Sequence, residues 1–213
     1  MGELRDKSGD WNSLEHEVTE CKDCGLHKSR TKTVFGDGNR NAKLMFIGEA
    51  PGADEDKAGC PFVGDAGKRL DKMIIEDMGY KREDAYIANI IKCRPPDNRK
   101  PIGSEIAHCI GFIRKQISLV SPDVIVCLGK VATKAILGDM LKLPDNFKLG
   151  DVRNKSNDYK DTATGKTIKV IPTYHPSYLL RCESVIAGAE EDLHLAVAEL
   201  EKTSKNKGGY NHA

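Results

Sequence analysis

The chain has no run of 18 apolar residues, no surplus of charge of either sign and no even complement of cysteines, and each lack narrows the function. Without a long apolar stretch no segment is expected to cross a bilayer. Residues 1–6 are polar where an export leader would be apolar, so the expectation is a cytoplasmic protein with no membrane partner. With 33 basic and 32 acidic residues the net charge is +1, so no whole-molecule field announces a polyanionic partner and any nucleic-acid binding must be local. Seven cysteines in a reducing compartment read as thiols or metal ligands rather than as a disulfide framework. No phosphate loop occurs, because Gly48-Glu49-Ala50-Pro51-Gly52 lacks the Gly-Lys-Ser/Thr ending, and no internal repeat is visible.

What is present is a close cysteine pair, Cys21 and Cys24, with two remote partners, Cys93 and Cys109. Four such thiolates suit a zinc site or an iron-sulfur cluster equally, and either would tie the start of the chain to its middle. Cys127 lies in an apolar run and reads as core, while Cys60 and Cys182 receive no role. Two basic clusters flank these ligands: Lys28, Arg30 and Lys32, then Lys92, Arg94, Arg99 and Lys100. Taken alone, each reads as solvated surface.

The 213 residues fit one domain, with a core over about 11–202. Residues 44–47, 85–91, 124–128 and 168–172 are short, β-branched and nearly continuous in apolarity, as strands covered on both faces are. Between them, 66–78 and 104–119 carry apolar stripes of helical period, 130–137 forms a shorter helix and 188–202 a last one. Ser121-Pro122 stops the second helix, 139–166 reads as a surface excursion with a hairpin at Thr164-Gly165, and the polar tail 205–213 is expected to be disordered. Alternating strands and helices predict a three-layer αβα sandwich on a central four-stranded parallel sheet.

In such a sheet ligands bind beyond the carboxyl ends of the strands. The segments that follow these strands hold Gly48 to Gly52, Asn89 with Lys92-Cys93-Arg94-Pro95-Pro96, Gly129-Lys130, and Tyr174 to Arg181. Singly, the glycines read as a turn, Phe62 as core and a histidine before proline as weak evidence of catalysis. Asn89 is stronger, since a buried amide must find partners or cost about 1 to 3 kcal/mol.

Together these segments, with Gly59-Cys60-Pro61-Phe62-Val63-Gly64 and His175-Pro176-Ser177-Tyr178-Leu179-Leu180-Arg181, resemble the family 4 uracil-DNA glycosylases over residues 11–200. The resemblance implies an αβα sandwich and a structural [4Fe-4S] cluster on Cys21, Cys24, Cys93 and Cys109. It further implies a DNA-repair monomer that removes uracil from single- or double-stranded DNA. Gly48, Glu49, Ala50, Phe62, Asn89 and His175 would contact the base. In family 1 enzymes an Asp that orients water stands where this chain has Ala50, so stabilising the departing base must carry more of the catalysis.

On that basis His175 is expected to donate to uracil O2 as charge develops, Phe62 to stack on the flipped base, and Asn89 to accept from N3–H and donate to O4. Glu49 is expected to touch the base first and to serve as general base second. Leu179, Leu180 and Arg181 would wedge into the vacated stack, and Lys92, Arg94 and Arg99 would meet phosphates. A non-catalytic iron-sulfur or zinc module, or a nucleotide-binding α/β domain, would explain the cysteines or the sheet but not Asn89 with His175. No short motif for a sliding-clamp partner is read at either terminus.

Overall fold

The structure, a computed structural model, describes residues 8–208; the polar opening 1–6 and the last five residues of the tail lie outside them. Among the described residues six strands form one sheet: β1 (Asp37–Gly38), β2 (Leu44–Gly48), β3 (Ala85–Asn89), β4 (Val124–Leu128), β5 (Asn157–Lys160) and β6 (Thr167–Thr173). Their order is β1-β3-β2-β4-β6-β5. The four expected strands, β2, β3, β4 and β6, run parallel to one another, while β1 and β5 pair antiparallel at the edges. Neither edge strand carries an apolar run: β1 is two residues long, and β5 alternates half-buried with exposed side chains. β5 and β6 are the arms of the expected hairpin, with Gly165 at φ 73°.

Side-chain alternation splits the core into two halves. Met45, Ile47, Tyr86 and Cys127 pack with Trp11 and Val18 of α1 (Ser8–Glu20), Ile113 and Ile117 of α4 (Gly103–Val120), and Ala132 and Ile136 of α5 (Gly129–Leu137). Leu44, Phe46, Ile87 and Val126 face the other way, onto Leu70 of α3 (Asp65–Lys72) and Leu193 and Leu200 of α7 (Ile186–Gly208). This is the three-layer sandwich that two-sided apolar strands demand. Short helices α2 (Ala53–Ala58) and α6 (Pro176–Leu179) follow β2 and β6.

Two helix boundaries differ from expectation. The pattern over 66–78 is α3 followed by a π-helical turn, Met73–Asp77, which still buries Met73 and Ile74. α7 continues to Gly208, so 205–208 of the polar tail is helical. Ser121 ends α4 in the left-handed conformation, φ 51°, its N–H bonded to Ile117 O, and Pro122 follows where the helix stops.

The chain leaves β2 for β3 on one side and returns to β4 on the other, which makes the carboxyl ends of β2 and β4 a topological switch point. Gly48 pairs in register with Asn89, and Leu128 with Thr173, so the candidate residues are brought to one rim.

Lys92, expected among the phosphate contacts, is not on that rim; it is 1% exposed. Its Nζ donates to Asn89 O (2.9 Å), Phe35 O (3.0 Å) and Gln116 Oε1 (2.6 Å), and Gln116 Nε2 donates in turn to Phe35 O and the Tyr86 hydroxyl. An ammonium has three donors, and each is met. Burial pushes the Lys92 pKa down to about 7, against the pull of Cys109 and Cys93. Lys92→Met would orphan the Asn89 carbonyl and Gln116 Oε1, so we expect a loss of about 2 kcal/mol, read from the urea midpoint. The salt dependence of DNA affinity should not change; a shallower slope in Lys92→Met would return this residue to the phosphate contacts.

Candidate active site

The rim opens into a cleft of about 740 Å³ lined by Glu49, Ala50, Phe62, Asn89 and His175, among others. Gly48 sits behind it and explains why the cleft can form. A Cβ on Gly48 would lie 2.3 Å from Asn89 Oδ1 and 2.6 Å from Phe62 Cζ, so only glycine lets those two side chains meet.

Asn89 ends β3 with 2% exposure, and its Oδ1 is buried without a hydrogen-bond partner. Buried polar atoms in folded proteins nearly always have partners, so an orphan acceptor at the wall of a cleft is a candidate contact for a ligand's hydrogen-bond donor. Phe62 reaches the same place from a strained backbone, φ 53°. Its loop is pinned by the Glu55 carboxylate, which accepts from Val63 N (2.9 Å), Gly64 N (3.0 Å) and Gly52 N (3.1 Å). Asp56 is buried and accepts from the Thr31 and Lys32 amides. Of the acidic run 54–56, which sequence alone reads as solvated loop, Glu55 and Asp56 are thus a helical brace, while Asp54 is exposed.

His175 caps α6. Its Nδ1 accepts from Ser177 N (3.2 Å) and lies 2.8 Å from Ser177 Oγ, which leaves the proton of the neutral ring on Nε2. Burial, with the Arg181 guanidinium adding to it and Glu55 opposing, pushes the imidazole down to about 4. At neutral pH the ring is therefore an uncharged donor. Its centroid is 5.8 Å from that of Phe62, with the ring planes at 33°. Gly129, at φ 88°, lets the β4–α5 turn approach the His175 Cβ. Burial also pushes the Glu49 carboxyl above its usual range, against the opposing charge of Lys100.

Other expected residues fare differently. Leu179 is buried against the α3 side of the core and cannot wedge into anything; Leu180 and Tyr178 are the exposed members of that segment, at 53% and 42%. Arg99 lines the cleft but is bidentate with Glu105, at 2.9 and 2.6 Å. Arg94 donates to Asn98 Oδ1. Arg30, assigned by sequence to a basic surface, donates to Cys93 Sγ (3.2 Å), Cys21 O and Thr19 O. Cations that do line the cleft are Lys100, Lys130 and Arg181. Leu149 and Gly150, from the excursion after α5, form part of the wall, and their sequence carries no signal that sets them apart from a surface loop.

Cys21, Cys24, Cys93 and Cys109 line one small cavity between the end of α1, the exit from β3 and α4. Lys92 N donates to Cys109 Sγ at 3.3 Å, so two of the four sulfurs face N–H donors, as ligated thiolates require. Among the described residues no three His, Cys, Asp or Glu side chains are grouped closely enough for one metal ion.

The uracil DNA glycosylase superfamily model matches residues 35–200. The chain is 43% identical to the type-4 uracil-DNA glycosylase of Sulfurisphaera tokodaii, over 90% of this chain and 85% of that one. It is 44% identical to the type-4 enzyme of Thermotoga maritima, over 80% and 83% of the two chains. To that of Archaeoglobus fulgidus it is 42% identical, over 79% and 82%. With a match over most of its length and a rim built from the same motifs that carried the sequence resemblance, the chain belongs to the type-4 uracil-DNA glycosylases of the uracil DNA glycosylase superfamily.

Proposed function

We propose that this chain, acting as one domain, hydrolyses the N-glycosidic bond of uracil in DNA and leaves an abasic site for repair. The observation that carries the reading is the partnerless Asn89 Oδ1, set beside the Phe62 ring and the Nε2–H of His175. Uracil offers N3–H to that oxygen and O4 to the amide nitrogen. Cytosine reverses both polarities and would leave the buried amide unpaired.

A base inside a duplex cannot reach the rim, so uracil must swing out of the stack, at least cost from a single strand. Phe62 would stack on it, with Gly48 and Ala50 allowing close approach. As the bond breaks, the sugar becomes cationic and uracil anionic, and His175 Nε2–H strengthens its bond to O2. Glu49 would contact the base and is the carboxylate candidate for activating water, since Ala50 supplies none and the Glu55 carboxylate, also on the cleft, is taken up by three amides. Lys100, Lys130 and Arg181, with Arg94 and the half-neutralised Arg99, would meet phosphates. Leu180, rather than Leu179, would fill the gap left by the base.

Cys21, Cys24, Cys93 and Cys109 would hold a [4Fe-4S] cluster, which when bound supplies an inorganic crosslink between three chain segments. The all-sulfur donor set and the N–H donors on Cys93 and Cys109 suit thiolates that hold such a cluster, and the resemblance to the family 4 enzymes, rather than the donor set, favours it over zinc. No helix of the described residues is long and apolar enough to cross a membrane, and we place the enzyme as a monomer in the cytoplasm, on the nucleoid when bound to DNA.

Single- and double-stranded oligonucleotides carrying one uracil, incubated and then treated with alkali, should be cut at the uracil. A non-catalytic module would leave them intact. An absorption spectrum of the purified protein should show thiolate-to-iron bands. In His175→Ala, kcat should fall about 10²- to 10³-fold with little change in DNA affinity. Because the imidazole is held near 4, it stays neutral as pH falls from 8 to 5, so it should impose no acid limb near the ordinary histidine value of 6.5. An acid limb above 4.5 that vanishes in Glu49→Gln would instead mark the raised Glu49 carboxyl as the base. Asn89→Asp should lose most activity on uracil and gain some on cytosine; full uracil activity in that variant would remove Asn89 from the site.

A further inference from the structure

Past His175 the cleft wall carries a second aromatic arrangement that uracil release does not use. Tyr174 and Tyr178 both line the cleft, with ring centroids 5.8 Å apart and planes at 36°. Behind them the Arg153 guanidinium lies 5.3 Å from the Tyr174 ring. Arg153 is itself held: Nε donates to Asp192 Oδ2 at 3.0 Å and Nη2 donates to Gly188 O. Asp192 is fully buried, and its other oxygen accepts from Asn154 N at 2.7 Å. The outer ring, Tyr178, packs against Tyr174 on its inner side. Tyr178 is nevertheless 42% exposed. A large ring fastened at its back and open on its outer face is a preorganised stacking surface.

We propose that Tyr178, backed by Tyr174 and Arg153, stacks on the nucleobase next to the uracil in the same strand. The inference rests on the uracil-release reading and extends it. Tyr178 and His175 line the same cleft three residues apart, so a strand that seats its uracil against His175 passes the Tyr178 ring. Lys130 and Arg181, on the same cleft, bring positive charge to where the connecting phosphates would run. Every base has a π face, so such a subsite tolerates any sequence and suits single strands, whose bases are free to turn.

The test pairs Tyr178 variants with single-stranded oligonucleotides in which the base 5′ or 3′ of the uracil is replaced by a tetrahydrofuran abasic residue. For the parent protein, KM should rise about tenfold when the base on one side is missing, with kcat little changed. Tyr178→Ala should show that same rise on the intact strand and no further rise when the base is removed. Tyr178→Phe, which keeps the ring, should stay within about twofold of the parent. If removing either neighbour costs Tyr178→Ala as much as it costs the parent, the subsite is wrong while uracil release stands. If the parent releases no uracil from any of these strands, the underlying reading fails instead.

Discussion

The site hangs on a buried lysine. Lys92 joins the carbonyl of Asn89 to Gln116 on α4 and to Phe35 at the sheet edge, while its own amide bonds Cys109. One residue thus connects the turn that carries the Asn89 amide to the Phe35 segment and, through Gln116 and Cys109, to α4. Its neighbour Cys93 is gripped by Arg30 from the first cysteine segment, so the link runs on to the start of the chain. The anchor and the pocket are adjacent parts of one hydrogen-bonded frame, which is why the Asn89 and Cys93 motifs lie so close in sequence.

The parallel core strands were legible because strands buried on both faces have no choice but continuous apolarity. β1 and β5 were not, since an edge strand is held by backbone pairing that leaves no mark on side-chain type. At the site, Gly48, Phe62, Asn89 and His175 were found by motif and do converge. Lys92 and Leu179 were misplaced for one shared reason. Composition gives a residue's chemistry but not the direction in which a loop turns it, and both point inward. Glu55 and Asp56 were underrated because backbone acceptors are invisible until the loop they brace is folded.

Electrostatically the rim is selective. Arg99 is tied to Glu105 and Arg30 to the cysteine region, so a cluster that looks strongly basic in sequence leaves few free cations at the cleft. A chain of nearly zero net charge can afford only local attraction, and hydrogen-bond polarity inside the pocket must do most of the discriminating.

The lone acceptor on Asn89 also bears on how a catalytic cycle ends. Within the protein that oxygen has no hydrogen-bond donor, so a ligand that brings one gains more there than from a solvated amide. A detached pyrimidine still carries N3–H after its sugar has gone. On the proposed uracil-release reading, the freed base would keep that donor and compete with the next strand for the same oxygen.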